Sequence, residues 1–307
     1  MLTTREAILL KVESTYKTDA TPSATNDAIL VSAVNNANES LRMVDRPLIK
    51  ANISTEKKIF AGTLKKLTFT AEIKGSGSLG VAPEIGQALR CCGLDETIVA
   101  STSVAYQPVT DGHESCTIYY YQDGRLNKLL GARGTVTLSA EAGGLGAASF
   151  EFTGHDGGLV DATFPTITYD STVPAPVINA SFSIDSYSSV INSLTIDAGN
   201  TIAAVSDMND TFGFGEVRVT MRDPNGSIDP EAVLVATKDF DAAWKAGTEM
   251  ALTTGIIGST SGNRWKLDAN VALRDISQGD RESIRTEDLT FGCHEVSGDD
   301  EWNIIFN

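Results

Sequence analysis

Apolar residues recur at every second position through most of this chain, and that period limits the fold more than any other feature. Residues 67–73, Leu-Thr-Phe-Thr-Ala-Glu-Ile, alternate cleanly. So do residues 135–140 and 148–152, which flank Gly143-Gly144, and residues 116–121, which run into Asp123-Gly124. Successive side chains of a strand point to opposite faces, so a period of two marks a sheet with one face in the core. Asp-Gly and Gly-Gly between such runs supply the positive φ of tight hairpins. Residues 193–197, 216–221 and 265–271 continue the pattern. The expectation is a mainly β, antiparallel protein.

Two short stretches switch to helical spacing. Pro83 suits a first helical position, Ile85, Leu89 and Cys92 then share a face, and Gly93 suits the stop. Asp239 suits an N-cap, Phe240 and Trp244 are four apart, and Gly247 follows the end. Both read as helices over 83–92 and 239–246 that turn an apolar face to the core.

The order of features repeats. A strand at 64–73, a Gly-rich turn, a helix and hairpins to Gly154 are followed by a strand at 215–221, the Asp223-Pro224-Asn225-Gly226 turn, a helix and strands to Gly292. The 307 residues suffice for two cores. The division expected is 1–165, including an N-terminal arm, then a proline-bearing linker at 166–176, then 177–307. Each part is expected to be a β-barrel or sandwich with a short flanking helix. The apolar tail at 301–307 either docks on a neighbour or completes a sheet of its own chain.

The formal net charge is −16. Phosphate binding needs clustered Lys and Arg, so the chain is not expected to grip nucleic acid. The four cysteines, Cys91, Cys92, Cys116 and Cys293, contain no CxxC and are expected to be free, mostly buried thiols. Residues 7–10 form an apolar patch too short and too closely flanked by charge for a secretory signal, which points to synthesis in the cytosol. No apolar run reaches the ~18 residues of a membrane span.

Motifs of chemistry are thin. Gly75-Ser76-Gly77-Ser78-Leu79-Gly80 matches GxGxxG, but the helix begins beyond its last glycine, where it could not present its N-terminus to a pyrophosphate. The three histidines, His113, His155 and His294, form no metal-ligand spacing. No GxSxG occurs, and no carboxylate pair stands out. The reading is a non-enzyme without cofactor or metal. Lys57, Lys58, Lys65 and Lys66 form a basic cluster that reads either as a contact to an acidic surface of another subunit or as a solvated face.

A family resemblance rests on several segments in order: residues 67–77 leading into 82–93, Tyr106-Gln107-Pro108-Val109, residues 114–121 with Asp123-Gly124, Gly131-Ala132-Arg133-Gly134, residues 149–154, the stretch 222–232 with Asp229-Pro230, and residues 239–252. From about residue 45 to about 255 the chain resembles the tail-tube proteins of long-tailed, non-contractile bacteriophages. The resemblance implies tail-tube-like β domains whose strands pair between subunits into rings, and rings that stack into a hollow tube for DNA in the virion tail. It implies no catalytic residues. Implied partners are the chain itself, a tape-measure protein, tail-terminator and distal tail proteins, and DNA in passage. If each chain carries two units, three chains would make a ring with pseudo-sixfold symmetry, a true hexamer being the alternative. A terminator, neck or decoration protein of the virion is the competing reading.

Overall fold

The computed structural model describes residue 2 and residues 4–307. In the first half run β1 (Glu6–Val12), β2 (Ala28–Ile29), β3 (Val31–Val44), β4 (Ile59–Glu72), α1 (Gly86–Cys91), β5 (Leu94–Val99), β6 (Ser103–Pro108), β7 (Cys116–Gln122), β8 (Arg125–Glu141) and β9 (Ala147–Asp161). The second half holds β10 (Ser183–Ile184), β11 (Ser193–Asp197), β12 (Asn200–Ser206), β13 (Phe214–Arg222), β14 (Asn225–Ile228), α2 (Phe240–Ala246), β15 (Met250–Thr253), β16 (Trp265–Arg281), β17 (Ile284–Cys293) and β18 (Trp302–Phe306).

Sixteen strands make one sheet, whose path runs β2-β1-β7-β8-β11-β14-β17-β16-β18-β6-β5. Every paired strand is antiparallel to its neighbour. The path has two ends and does not close, so of the barrel and the sandwich the fold takes the sandwich. β8 organises the first half. Along one of its edges lies β9, from Arg125↔Asp161 to Ser139↔Ala147. The other edge is shared by β7 up to Ala132 and by β11 from Thr137. β16 is shared in the same way, with β17 and β18 on one edge and β15 on the other.

The alternation fixes which side chains enter the core. In β4, Leu67, Phe69 and Ala71 are buried while the residues between them are half-exposed, and Phe69 packs on Phe150 and Phe152 of β9 with ring centroids 5.2 and 5.8 Å apart. One apolar cluster contains Ile8, Leu67, Leu89, Phe150, Trp265 and Trp302, and so draws on both halves of the sequence. Residues 162–175 carry no strand, and they separate halves that meet through β8 with β11 and through β6 with β18. The C-terminal residues pair within their own chain, as β18.

The apolar patch at 7–10 is β1, buried on both faces because a second small cluster, with Ala28, Tyr119 and Leu126, covers Leu9. All four cysteines are free and buried. α1 begins at Gly86, three residues later than the proline suggested, because the Pro83 carbonyl accepts from Gly86 N–H in a preceding turn. Its Ile85, Leu89 and Cys92 are buried, and Gly93 takes φ +78°. In α2, Asp239 accepts from the Ala242 amide and Gly247 ends the helix at φ 62°. Phe240 is buried, but Trp244 is partly exposed and only its indole N–H anchors, donating to the Arg274 carbonyl at 3.1 Å. The shared core face expected for Phe240 and Trp244 therefore holds for Phe240 alone.

Candidate functional site

The Gly131-Ala132-Arg133-Gly134 motif lies mid-way along β8, where β7 gives way to β11 and the register with β9 slips between Leu130 and Arg133. Gly131 adopts φ +58°, and a Cβ there would stand 2.8 Å from the Tyr16 ring. Ala132 is fully buried against Gly154, whose added Cβ would come within 2.9 Å of the alanine methyl. A Cβ on Gly134 would lie 2.3 Å from the Glu151 carbonyl oxygen. Three of the four motif residues are small because three neighbours press on one strand.

Arg133 is the exception, and it reaches across. Its Nε donates to the Glu114 carbonyl at 3.2 Å and its Nη2 to the His113 carbonyl at 2.8 Å. Its Nη1 donates to the Val217 carbonyl at 2.6 Å and to Glu216 Oε1 at 2.8 Å. Val217 and Glu216 belong to β13, which with β12 forms a separate two-stranded ribbon. The hydrogen bond from Arg133 holds the Glu216 carboxyl below its ordinary range.

A loop after β1 completes the site. The buried Glu13 carboxylate accepts from the Lys17 and Gly131 amides and from Ser115 Oγ and Thr117 Oγ1, all between 2.7 and 2.8 Å. Four donors are what a buried carboxylate requires. The Tyr16 hydroxyl accepts from the Val217 amide at 2.7 Å and lies 3.1 Å from His155 Nε2. Burial pushes this hydroxyl up to about 12. Burial first, and the Lys17 ammonium second, push the buried His155 imidazole below its ordinary value. Lys17 pairs with Asp210 in the β12–β13 turn. Asp210 stays below its ordinary value because this hydrogen bond and the Phe212 amide outweigh burial. The Glu13–Lys17 loop thus clamps the ribbon onto β8 and β9.

Asp229 plays a comparable part in the second half. Its Oδ1 accepts from the Asn192 and Ser193 amides at 2.9 and 2.8 Å, and its Oδ2 from Arg281 Nη1 at 3.1 Å. The Pro230 carbonyl accepts from the Glu287 amide. Both motifs are braces between strands distant in sequence. Gly75, Gly77 and Gly80 sit against backbone as well: Gly77 N–H donates to the Gly262 carbonyl, and a Cβ on Gly75 would meet that oxygen at 2.2 Å.

The basic cluster divides. Lys65 pairs with Asp156 at 3.8 Å and Lys66 with Glu151 at 2.5 Å, both on β9. Lys58 meets Asp45 at 3.1 Å in an exposed pair, and Lys57 is exposed with no ion pair among the described residues. These last two lie on an arm, the distal part of the β3–β4 hairpin with its loop at 45–58. At its base Arg42 stacks 3.8 Å above the Phe214 ring and donates to the Gly213 carbonyl at 2.9 Å. Beyond that point Leu48, Ile49, Ile53 and Phe60 are exposed.

Sequence reasoning missed Glu13, Tyr16, Lys17, His155 and Asp210 as partners of the motif. Glu13 and Gly131 are 118 residues apart, a contact no local pattern announces. Among the described residues, no group of three or more His, Cys, Asp or Glu could hold a metal ion. No helix among them is long and apolar enough to cross a membrane.

Comparison with curated proteins gives no match. A family model described as phage tail tube protein, a structural family of the virion tail, matches residues 3–293, and on that near-complete match the chain belongs to the phage tail tube protein family.

Proposed function

We propose that this chain assembles with copies of itself into rings, and that the rings stack into the hollow tail tube through which DNA leaves the capsid. Family membership is the observation that carries this reading. Two features of the fold support it. β3 pairs only with β4, and β5 only with β6, so each leaves an edge free; β2 and β10 are also paired on one side alone but are two residues long. Unprotected edges invite pairing, and a neighbour on each side would cover them. The second feature is charge. A wall of net-negative chains repels phosphate and offers no counterion-release affinity, so DNA slides without sticking.

The repeated order of elements supports a ring of three chains with pseudo-sixfold symmetry, six hairpin-bearing units in all. Lys57, and Lys58 in its exposed pair with Asp45, are the part of the basic cluster that an acidic neighbour would meet. Tape-measure, tail-terminator and distal tail proteins would contact the lumen and the two tube ends. The protein would be made in the bacterial cytoplasm, act in the virion tail during genome ejection, and catalyse nothing.

Negative-stain electron microscopy of concentrated protein tests this. Hollow tubes with three-fold end views are expected. Six identical lobes would keep the tube and remove the trimer. Small particles at every concentration would favour a terminator, neck or decoration protein.

A further inference from the structure

The β12–β13 ribbon is fastened at its base, its tip and its middle, and the three fastenings differ in kind. At the base, the Asn200 side-chain amide donates to the Cys92 and Gly134 carbonyls at 2.6 and 3.1 Å, and Arg222 donates to the Val109 carbonyl at 2.9 Å and to Glu301 Oε1 at 2.8 Å. At the tip, Arg42 donates to the Gly213 carbonyl and the Ser206 hydroxyl. Arg42 stands where the β3–β4 hairpin has already parted from β9, so this tie can move with the ribbon. In the middle, Arg133 and Tyr16 hold Val217, and Lys17 holds Asp210.

His155 sits under that middle fastening. It is 1 % exposed, and it lies on β9 opposite Leu64, on which Phe214 and Val217 of the ribbon pack. The Val217 amide donates to the Tyr16 hydroxyl, whose own single proton finds its acceptor among the described residues in His155 Nε2, 3.1 Å away. The relay from Val217 N–H through Tyr16 O–H to Nε2 runs one way only and requires a neutral ring with Nε2 bare. Protonation puts a second donor on the hydroxyl and leaves the hydroxyl's proton without an acceptor.

The surroundings do not compensate a buried imidazolium. Glu13 is taken by four donors, and Asp210 by Lys17 and the Phe212 amide. Lys17 adds like charge, and Arg133, with Glu216 bonded to it, stands 5.3 Å over the Tyr16 ring. β4 and β8 place the uncharged Leu64 and Leu130 across from His155. A buried charge without a partner must reach water. β9 is paired on both sides, by β4 and β8, whereas the ribbon is paired with nothing else, so the ribbon is what gives way.

We propose that the β12–β13 ribbon is a latch opened by protons: when His155 is protonated, residues 202–219 swing off β8 and β9 about the base at Asn200 and Arg222, uncovering Leu64, Phe214 and Val217, while the large sheet stays folded. The latch is a property of the single chain and does not depend on the tube. Burial and Lys17 hold the closed-state imidazole below its ordinary value. Opening is therefore favoured as pH falls below the open-state value of ~6.5, by up to about tenfold per unit.

Hydrogen exchange of the full chain between about pH 7 and about pH 5 tests this, each rate being divided by the intrinsic rate at that pH. The amides of residues 202–219 should lose protection at least tenfold, and those of residues 135–140 on β8 and 148–153 on β9 should keep theirs. His155→Gln, which stays neutral, should abolish the step. In the unsubstituted chain the His155 ring resonance, followed by NMR, should titrate at the pH where the ribbon opens, a readout that stands even if His155→Gln does not fold. Equal loss along β8 and β9 would show general acid destabilisation and overturn the latch. Ribbon protection unchanged throughout, a step that survives in His155→Gln, or a ring midpoint apart from the opening midpoint would each overturn it as well.

Discussion

The two β-hairpins that open the repeated sets of elements share an order in sequence and differ in fate. β3 and β4 are each 14 residues long, and β4 is held along most of its length by β9. Past Leu64 the hairpin leaves the sheet and carries its apolar residues outward. β12 and β13, of 7 and 9 residues, pair with each other alone. An isolated two-stranded ribbon is marginal in water. This one is held by side chains: Phe214 and Val217 pack on Leu64, and Arg133, Tyr16 and Lys17 bond to its backbone or carboxylates. Hairpin geometry decides neither outcome. What decides is whether neighbouring strands leave room for a clamp or leave the hairpin outside.

If the clamp is what keeps the ribbon down, the largest effect should follow its removal. Arg133→Ala leaves Glu216 to Arg218 alone and deprives three carbonyls of their donor, and should cost about 2–4 kcal/mol in denaturant unfolding. Hydrogen exchange would show the amides of residues 214–222 losing protection before those of β8. Equal loss along β8 would mean that the motif braces the whole sheet. Phe214→Ala should cost about 3 kcal/mol through the cavity it leaves between ribbon and β4. Tyr16→Phe deprives the Val217 amide of its acceptor and should cost about 1–3 kcal/mol.

His155 adds a pH dependence that the arm lacks. Its folded value is depressed, so the unfolded chain takes up a proton that the folded chain refuses. Stability is full above the unfolded value of ~6.5 and falls as pH drops below it, with a limiting slope of about 1.4 kcal/mol per unit. The groups facing the ring are the Tyr16 hydroxyl, 3.1 Å from Nε2, with Lys17, Asp210 and Glu13 around it. The depressed values of Asp210 and Glu216 contribute only nearer the carboxylate range, so the two effects separate. His155→Gln should flatten the curve between pH 6.5 and 5, and an unchanged slope would exclude this histidine as its source.

The alternating strands, the tight turns and both ends of α2 were legible because each depends on residues close in sequence: alternation in β4, Asp123-Gly124 at φ 25° and 99°, Asp239 capping Ala242. The Gly131–Gly134 motif was visible as a motif, but its task was not. The reason for Gly131 is Tyr16, and the reason for Arg133 is Val217, more than 80 residues away in either direction. The basic cluster was read as one feature. Pairing with β9 splits it, because Lys65 and Lys66 lie where β4 runs beside β9 and Lys57 and Lys58 lie in the arm loop before β4 begins.

That split yields the smallest effect and the sharpest contrast. Phe60→Ser removes an aromatic side chain that is already half in water, so it should change unfolding free energy by less than about 0.5 kcal/mol. Phe214, a buried aromatic on the ribbon, should cost several times more. If the arm owes its apolar residues to a contact with a neighbour, Phe60→Ser should leave the denaturation midpoint of dilute chains in place and weaken assembly at high concentration. A midpoint shifted as far as that of Phe214→Ala would show that the arm folds back on its own chain, and that the two hairpins differ less than their surroundings indicate.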